Sequence, residues 1–575
     1  MVAMPKHVVI IGAVALGPKV ACRIKRLDPE AQVTVIDKSA LISYGGCGIP
    51  YYVSGDVPEL EELFSTSAHI KRDPGFFKNA KGVDVQTLTE VVAIDRLDKV
   101  VRVKDCLSRQ VDSVSYDTLV LATGAKPVVP PLKGCNLDGV SVVANLAHAQ
   151  DIKTRIAKGQ VSRAVVIGGG AIGLEMAEAL TDLWGIETTL VEMQAQLLPG
   201  ALGRDTARLV QQHMEEKNVT VLTSERVTEI TGTDDGKVAA VRTRQSDLPC
   251  ELVIFAAGVR PNNRLAKECG LALGRTGGII VDKHMRTSDP DIYAGGDCVE
   301  ITHLISGEPA HMPMGSLANR QGRVIASHIC GQRSTFKGAV GSFCVKVFDL
   351  GVARAGLSES QAQIAGFKTA KALAAQSDRA HFYPGSEMMI MKLIADVDSR
   401  QVIGVEAIGA NGDAVKARVD AVAALLPYGP DVEEISNLEV AYSPPFASAM
   451  DIVNTTANVL DNVMLGHLHP VEVDQFVDLF KNGESRVLDV RSREQARPLQ
   501  AKYGDRWLNI PQEDLAGCLK ELEKEGPYYL VCGAGSRAYE AQLMLRHAGI
   551  ENTRNVEGGM KAILSSDPEF AMTVS

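Results

Sequence analysis

Two cysteines sit in surroundings where a thiolate could do chemistry. Cys47 lies in the glycine-rich turn LISYGGCGIPYYVSG, and Cys532 ends the strand-like run YYLVC before the loop GAGSR. A cysteine in a loop of the second kind faces several backbone N–H groups and the N-terminus of the following helix. Their partial positive charges stabilise a thiolate or a persulfide anion, and Arg537 opens that helix. A buried structural cysteine is the competing reading. The eleven cysteines, at 22, 47, 106, 135, 250, 269, 298, 330, 344, 518 and 532, include no CxxC pair and no cluster at zinc-ligand spacing. Any working cysteine therefore acts singly, which leaves a mixed disulfide with an external sulfur, or a sulfenic acid, as its oxidised form.

Electrons for such a cysteine need a carrier, and the glycine turns supply candidates. HVVIIG, AVALG, PKVACRIKRLDP and AQVTVIDK read strand, turn, helix, strand, and Asp37 follows Gly12 by 25 residues. That arrangement sets a pyrophosphate at a helix N-terminus and a carboxylate on a ribose hydroxyl. Gly12 and Gly17 are present, while Val14 occupies the usual middle glycine position. In RAVVIGGGAIGLEMAEALTDLWGIETTLVEM, Gly168, Gly170 and Gly173 keep the full G-x-G-x-x-G spacing, and Glu192 follows Gly168 by 24 residues. An acid there accepts ribose hydroxyls and repels a 2′-phosphate, which favours NADH over NADPH. Two such units point to two dinucleotides, the layout of a flavoprotein that passes hydride from nicotinamide to flavin.

Positioning these groups takes several domains. At about 150 residues per domain, 575 residues predict about four. Hydrophobic residues at 45% and charged residues at 23% are those of a globular chain. A net charge of −10 without a Lys/Arg block excludes nucleic acid as the main partner. No window of eighteen apolar residues is free of charge, so no membrane span is expected. Met1 to Lys6 lead straight into HVVIIG without a signal-peptide pattern, so a soluble, cytoplasmic protein is expected. The expected fold class is α/β, with two Rossmann-like domains first; the resemblance set out below implies that these bind FAD and NAD and that an α+β dimerisation domain and a C-terminal rhodanese-like α/β domain follow. The expected boundaries are 1–150 and 281–330 for the FAD part, 151–280 for the NAD part, 331–455 for dimerisation, 456–470 for a linker and 471–575 for the rhodanese-like part. His467 and His469 in HLHP belong to that linker rather than to a metal site.

The domain names come from a resemblance. YDTLVLATGAKPVVPP, ELVIFAAGVRPN and DIYAGGDCVE are strands ending in glycine turns, and they resemble the turns of the flavin-dependent pyridine nucleotide disulfide oxidoreductases. That resemblance implies that Asp297 bonds the ribityl–pyrophosphate region and that Thr123 and Gly124 line the flavin. It also places Ala15, Lys38, Val91, Gly258 and Ala318 at cofactor positions. Dithiol members carry a second cysteine five positions after the first, where this chain has Tyr52. Ser43, Cys47, Gly48 and Pro50 instead resemble the single-cysteine branch of coenzyme A disulfide reductases, NADH-dependent persulfide reductases, and NADH oxidases and peroxidases. Oxidase and peroxidase members carry histidine where this chain has Ala15, which argues against peroxide reduction.

The resemblance implies a coenzyme A site at Lys19, Arg23, Arg26, Ser43, Lys81 and Asn319. Its cations suit phosphates, although a solvated basic helix face would look the same. Tyr383 in HFYPG and Tyr442 in EVAYSPPF would reach the partner subunit's cysteine in a homodimer, where a phenol can protonate a leaving thiolate. The last hundred residues resemble a rhodanese-like sulfurtransferase with Cys532 as sulfur acceptor and Arg537 in its loop. The whole implies an FAD-dependent NADH:persulfide or polysulfide reductase that releases hydrogen sulfide, acts on coenzyme A persulfide and relays sulfane sulfur through Cys532. The alternatives are a coenzyme A disulfide reductase with an accessory rhodanese, and a sulfur-carrier or redox-sensing protein.

Overall fold

A computed structural model of the chain describes residues 7–483, 485–524, 527–567 and 570. Met1 to Lys6 and the last five residues of the rhodanese-like segment lie outside the described residues. The chain forms two compact units: one from the chain up to Ala195 plus Asn218–Ala339, the other from Gln196–Lys217 plus the chain from Val340 onward.

In the first unit, the β-branched run His7–Ile11 is the middle strand of a five-stranded sheet. Its order is Ile292–Ala294, Thr118–Leu121, His7–Ile11, Gln32–Ile36, Asp84–Gln86, and every pairing is parallel. Val8, Val9 and Ile10 are fully buried, as a parallel strand covered on both faces must be. The helix Leu16–Leu27 buries Leu16, Val20, Ala21 and Ile24, the stripe that a 3.6-residue period puts on one face. It packs on the helix Gly315–Ile329. Gly322 permits the approach, because a Cβ there would lie 3.2 Å from that of Lys19.

The second sheet repeats the pattern, with parallel strands in the order Val219–Leu222, Glu187–Val191, Arg163–Ile167, Leu252–Phe255, Val140–Val142. Val140–Val142 joins it although it precedes residue 151, and Leu265, Ala266 and Leu271 already pack in the first core.

In the second unit, Phe343–Val347, Leu350–Gly356, Val402–Gly409, Met388–Asp396 and Thr369–Ser377 form an antiparallel sheet in that order. The helices Gly412–Leu425 and Ile452–Met464 lie against it. The stretch 456–470, expected as a linker, begins inside a helix. Its first part completes the helix Ile452–Met464, whose Ile452, Val453, Ala457 and Leu460 are buried at helical spacing. The rhodanese-like part carries a parallel sheet ordered Pro470–Val471, Thr553–Val556, Tyr528–Val531, Arg486–Asp489, Trp507–Asn509. Among the described residues no helix is long and apolar enough to cross a membrane.

Candidate functional site

The two dinucleotide turns are built alike. Gly12 and Gly168 have positive φ, and a Cβ on either would strike the neighbouring strand end, at 2.1 Å from the Ala122 carbonyl oxygen and 2.5 Å from that of Ala256. Gly17 and Gly173 let each helix close onto its own turn, a Cβ on either falling 1.9 Å from the preceding glycine's oxygen. Gly170, Gly124 and Gly258 face open space, where a cofactor can meet bare backbone. Val14 leaves the first turn intact, since Ala15 simply caps the helix Leu16–Leu27.

The acids are held in place by the same turns. Asp37 accepts the Ala13 N–H at 2.7 Å and the Ser39 N–H at 2.8 Å; Glu192 accepts those of Gly169 and Gln194, both at 2.7 Å. Each carboxylate oxygen retains a lone pair for a ribose hydroxyl. Lys38 follows Asp37 directly, and the strand holding the buried Val91 is tied to Asp37 by the Thr89 N–H. Thr123 donates its hydroxyl to the Asn262 carbonyl at 2.8 Å, which joins the ATGA turn to the strand end after Gly258. Gly296 N–H donates to Gln321, and a Cβ on Gly296 would lie 3.6 Å from that of the buried Ala318. The Asp297 carboxylate accepts no hydrogen bond from the described residues, and burial, partly offset by His311, raises its pKa. A cradle of this kind, with open glycines and an unpaired half-buried acid, fits an FAD and a nicotinamide dinucleotide.

Cys47 is exposed at the centre of the one-turn helix Gly46–Gly48. Protein packed beside the sulfur, then the charges of Glu175 and Asp297, push its thiol pKa up. Glu175 is a group that motif reading missed. Burial, reinforced by Glu178 and opposed by a hydrogen bond with Tyr51, pushes its carboxyl up to about 7. Its signal was its place two residues after Gly173, on the helix Ala171–Thr181 that packs against Ile49–Ser54.

The proposed coenzyme A cations are partly assembled. Lys19, Arg26 and Lys81 all lie close enough to Cys22 to pull its pKa down against burial. Arg23, on the same helix, reaches Gln332. Ser43 is buried with φ 50° and donates its N–H to Ala13, while Asn319 is engaged by the Gly315 carbonyl of its own helix.

In the second unit, Tyr383 and Tyr442 are both exposed, and the Ala380 N–H bond to the Pro444 carbonyl joins their loops. Arg418, also missed from the sequence, is the strut beneath them. It is buried and donates to the carbonyls of Asp378 at 3.0 Å and Phe446 at 2.9 Å and to the Asp451 carboxylate at 2.9 Å.

Cys532 is 1% exposed, and its sulfur accepts the Gly535 N–H at 3.0 Å. The helix Ser536–His547 begins at the next residue. Arg537 Nη2 lies 3.6 Å from the Cβ position of Gly533. Met560 and Lys561 N–H groups hold the Cys532 and Gly533 carbonyls at 2.8 and 3.1 Å. Beside the loop, Asp489 is fully buried between Arg491 at 2.6 Å and the Trp507 indole at 3.0 Å. No group of His, Cys, Asp or Glu among the described residues is arranged to hold a metal, and His469 is tied by its backbone to Gln542.

Two dinucleotide turns and an exposed cysteine without a second thiol beside it are the features of a flavin- and nicotinamide-dependent sulfur oxidoreductase. The chain belongs to the pyridine nucleotide-disulphide oxidoreductase family, which matches residues 6–319; the family's dimerisation domain matches 342–453 and a rhodanese-like domain matches 472–566. It is similar to the solved NAD-dependent persulfide reductase from A. fulgidus, with 39% identity, a TM-score of 0.91, and coverage of 97% of this chain and 99% of that one. It is also similar to reduced Bacillus anthracis CoADR-RHD, with 32% identity, a TM-score of 0.90, and coverage of 99% and 100%. The NAD(P)H coenzyme A polysulfide/persulfide reductase of Pyrococcus horikoshii is 33% identical over 457 residues, which is 80% of this chain and 99% of that protein.

Proposed function

We propose that this chain is an FAD-dependent NADH:persulfide or polysulfide reductase that takes coenzyme A persulfide and releases hydrogen sulfide. The observation that carries the reading is an exposed Cys47 with Tyr52 where a resolving thiol would stand, so the sulfur it attacks must come from outside. The resemblance to the persulfide reductases named above supports it.

Cys47 as thiolate attacks the sulfane sulfur, and coenzyme A leaves with the electron pair of the broken S–S bond. Bound FAD supplies the two-electron link between NADH and the sulfur now on Cys47. Sulfide departs and the Cys47 thiolate is restored. Glu175, able to hold a proton near neutral pH, tunes that thiolate through its charge. Asp37 and Asp297 serve FAD and Glu192 serves NADH, while Lys19, Arg23, Arg26 and Lys81 serve the coenzyme A phosphates, with Ser43 and Asn319 beside them. Tyr383 and Tyr442 are assigned to proton delivery across a homodimer. Cys532, with Arg537, accepts sulfane sulfur as a persulfide and relays it. All eleven cysteines are unpaired, which suits a reducing cytoplasm.

The test is anaerobic NADH oxidation by wild type and Cys47→Ser, with coenzyme A persulfide, polysulfide and coenzyme A disulfide offered side by side and sulfide quantified. Sulfide release that disappears in the variant is the expected result. Faster turnover on coenzyme A disulfide without sulfide would make the chain a disulfide reductase. No turnover with any acceptor would make it a carrier or sensor.

A further inference from the structure

The loop that carries Cys532 is tied down by its carbonyls. The Cys532 carbonyl accepts the Met560 N–H at 2.8 Å, and that of Gly533 accepts the Lys561 N–H at 3.1 Å. Gly535 is held twice: its carbonyl accepts the Tyr539 N–H at 3.0 Å, at the start of the helix Ser536–His547, and the side-chain amide of Asn555 at 3.2 Å. From the other end of the same residue, the Gly535 N–H donates to Cys532 Sγ at 3.0 Å. Gly535 has φ 102°, a conformation open to glycine, and a glycine held by nothing would let its two peptide planes turn.

Asn555 is itself firmly placed. It lies in the strand Thr553–Val556, which runs between Pro470–Val471 and Tyr528–Val531, and its own N–H donates to the His469 carbonyl at 2.8 Å. The residue is 5% exposed. A carbonyl oxygen only accepts, so the end of the amide that meets Gly535 is its NH2 group. The other end, Oδ1, is buried and accepts no hydrogen bond from the described residues. An orphaned buried acceptor costs stability, and an apolar side chain of the same shape would avoid that cost. What the amide adds is its bond to the loop. The roles given above to Cys47, Cys532 and Arg537 do not use it.

We propose that Asn555 is a positioning residue for the sulfur-accepting loop: by holding the Gly535 carbonyl, it keeps the Gly535 and Ser536 N–H groups turned towards the anion on Cys532. In a trans peptide the Gly535 carbonyl and the Ser536 N–H point opposite ways, so a donor that fixes the first also fixes the second. Without that donor the glycine gains freedom, and the thiolate and the persulfide lose part of the N–H field that stabilises them. The inference rests on the reading that Cys532 accepts sulfane sulfur.

The experiment uses full-length FAD-loaded protein with thiosulfate and cyanide. The Cys532 thiolate attacks the outer sulfur of thiosulfate, and sulfite leaves with the bonding pair; cyanide then takes the terminal sulfur of the persulfide as thiocyanate and returns the thiolate. In such a double displacement kcat/KM for thiosulfate reports the free enzyme, so the acid limb of its pH profile follows the Cys532 thiolate and the ionisation of cyanide drops out. The charged residues adjoining the loop, Arg537, the paired Asp489 and Arg491, Glu557 and Lys561, are the same in wild type and variants. In Asn555→Leu the limb should move up by at least about half a pH unit, so that kcat/KM falls at least about threefold on the acid side and comes within about twofold of wild type on the alkaline plateau. A uniform loss with the limb in place would mean that the amide only supports the strand, and overturns the proposal, as does an unchanged profile. Asn555→Val, whose side chain suits a strand, carries the same expectation and decides the matter if the leucine variant does not fold. Cys532→Ser separates the two ideas: thiocyanate formation that persists in it refutes the reading of Cys532, whereas its loss together with an unmoved limb refutes the role of Asn555 alone.

Discussion

Cys47 and Cys532 are two solutions to holding a reactive sulfur. Cys47 is exposed on a single helical turn between glycines, and protein packed beside its sulfur, then the acids Glu175 and Asp297, oppose its ionisation. Cys532 is packed in a core with Leu488, Val490 and Leu530, and its sulfur is met by a backbone N–H at the start of a helix. A thiol held back by acids suits a centre whose thiolate is restored by electrons from a bound cofactor. A thiol met by N–H dipoles suits one that must carry an anionic persulfide unaided. On the proposed reading, the redox task and the storage task fall to two cysteines in different electrostatic settings.

The largest effect that can break this comparison is deletion of one sulfur at a time. Cys532→Ser should reduce thiosulfate:cyanide sulfur transfer to background and leave NADH oxidation with supplied coenzyme A persulfide unchanged, as steady-state assays of both reactions would show. Equal loss in both assays would mean that the two centres are not separate.

A smaller effect is expected from Gly559→Ala. Its φ of 59° and a Cβ that would fall 2.4 Å from the Cys532 oxygen force the loop to move. The left-handed backbone alone costs about 1–2 kcal/mol, to be read as a lowered midpoint in denaturant. Sulfur transfer should fall while NADH-dependent turnover holds.

The smallest effect sharpens the electrostatic half of the contrast. Glu175→Gln removes an acid whose carboxyl ionises at about 7, so at about pH 8 the Cys47 thiol should be alkylated by iodoacetamide about two- to fivefold faster than in wild type. Below about pH 6, where the wild-type Glu175 carboxyl is protonated and position 175 is uncharged in both proteins, the rates should converge. Cys532 should show no difference.

Much of this was legible one residue at a time. The turn Gly168–Gly173 with Glu192, the turn after Gly12 with Asp37, and the lone Cys47 are local patterns in which backbone conformation and chemistry are set by neighbours a few residues away. The same holds for the loop Cys532–Arg537, whose geometry follows from a strand running into a helix. The helix Ile452–Met464 is also written locally, in the helical spacing of Ile452, Val453, Ala457 and Leu460, although its last turns run into the stretch 456–470.

Tertiary structure alone decided which distant charges meet. Glu175 acquires its perturbed carboxyl only when Ala171–Thr181 packs on Ile49–Ser54, and Arg418 becomes a strut only when the loops around Asp378 and Phe446 converge on it. Lys392, buried in an apolar strand, looks in sequence like an interruption of MMIMKLIAD; its reason is Asp205 and Glu406, 187 residues away in the first case. A sequence states which groups can ionise. Only the fold determines how much water each keeps and which opposite charge replaces the water it loses, and those two quantities set its pKa and its task.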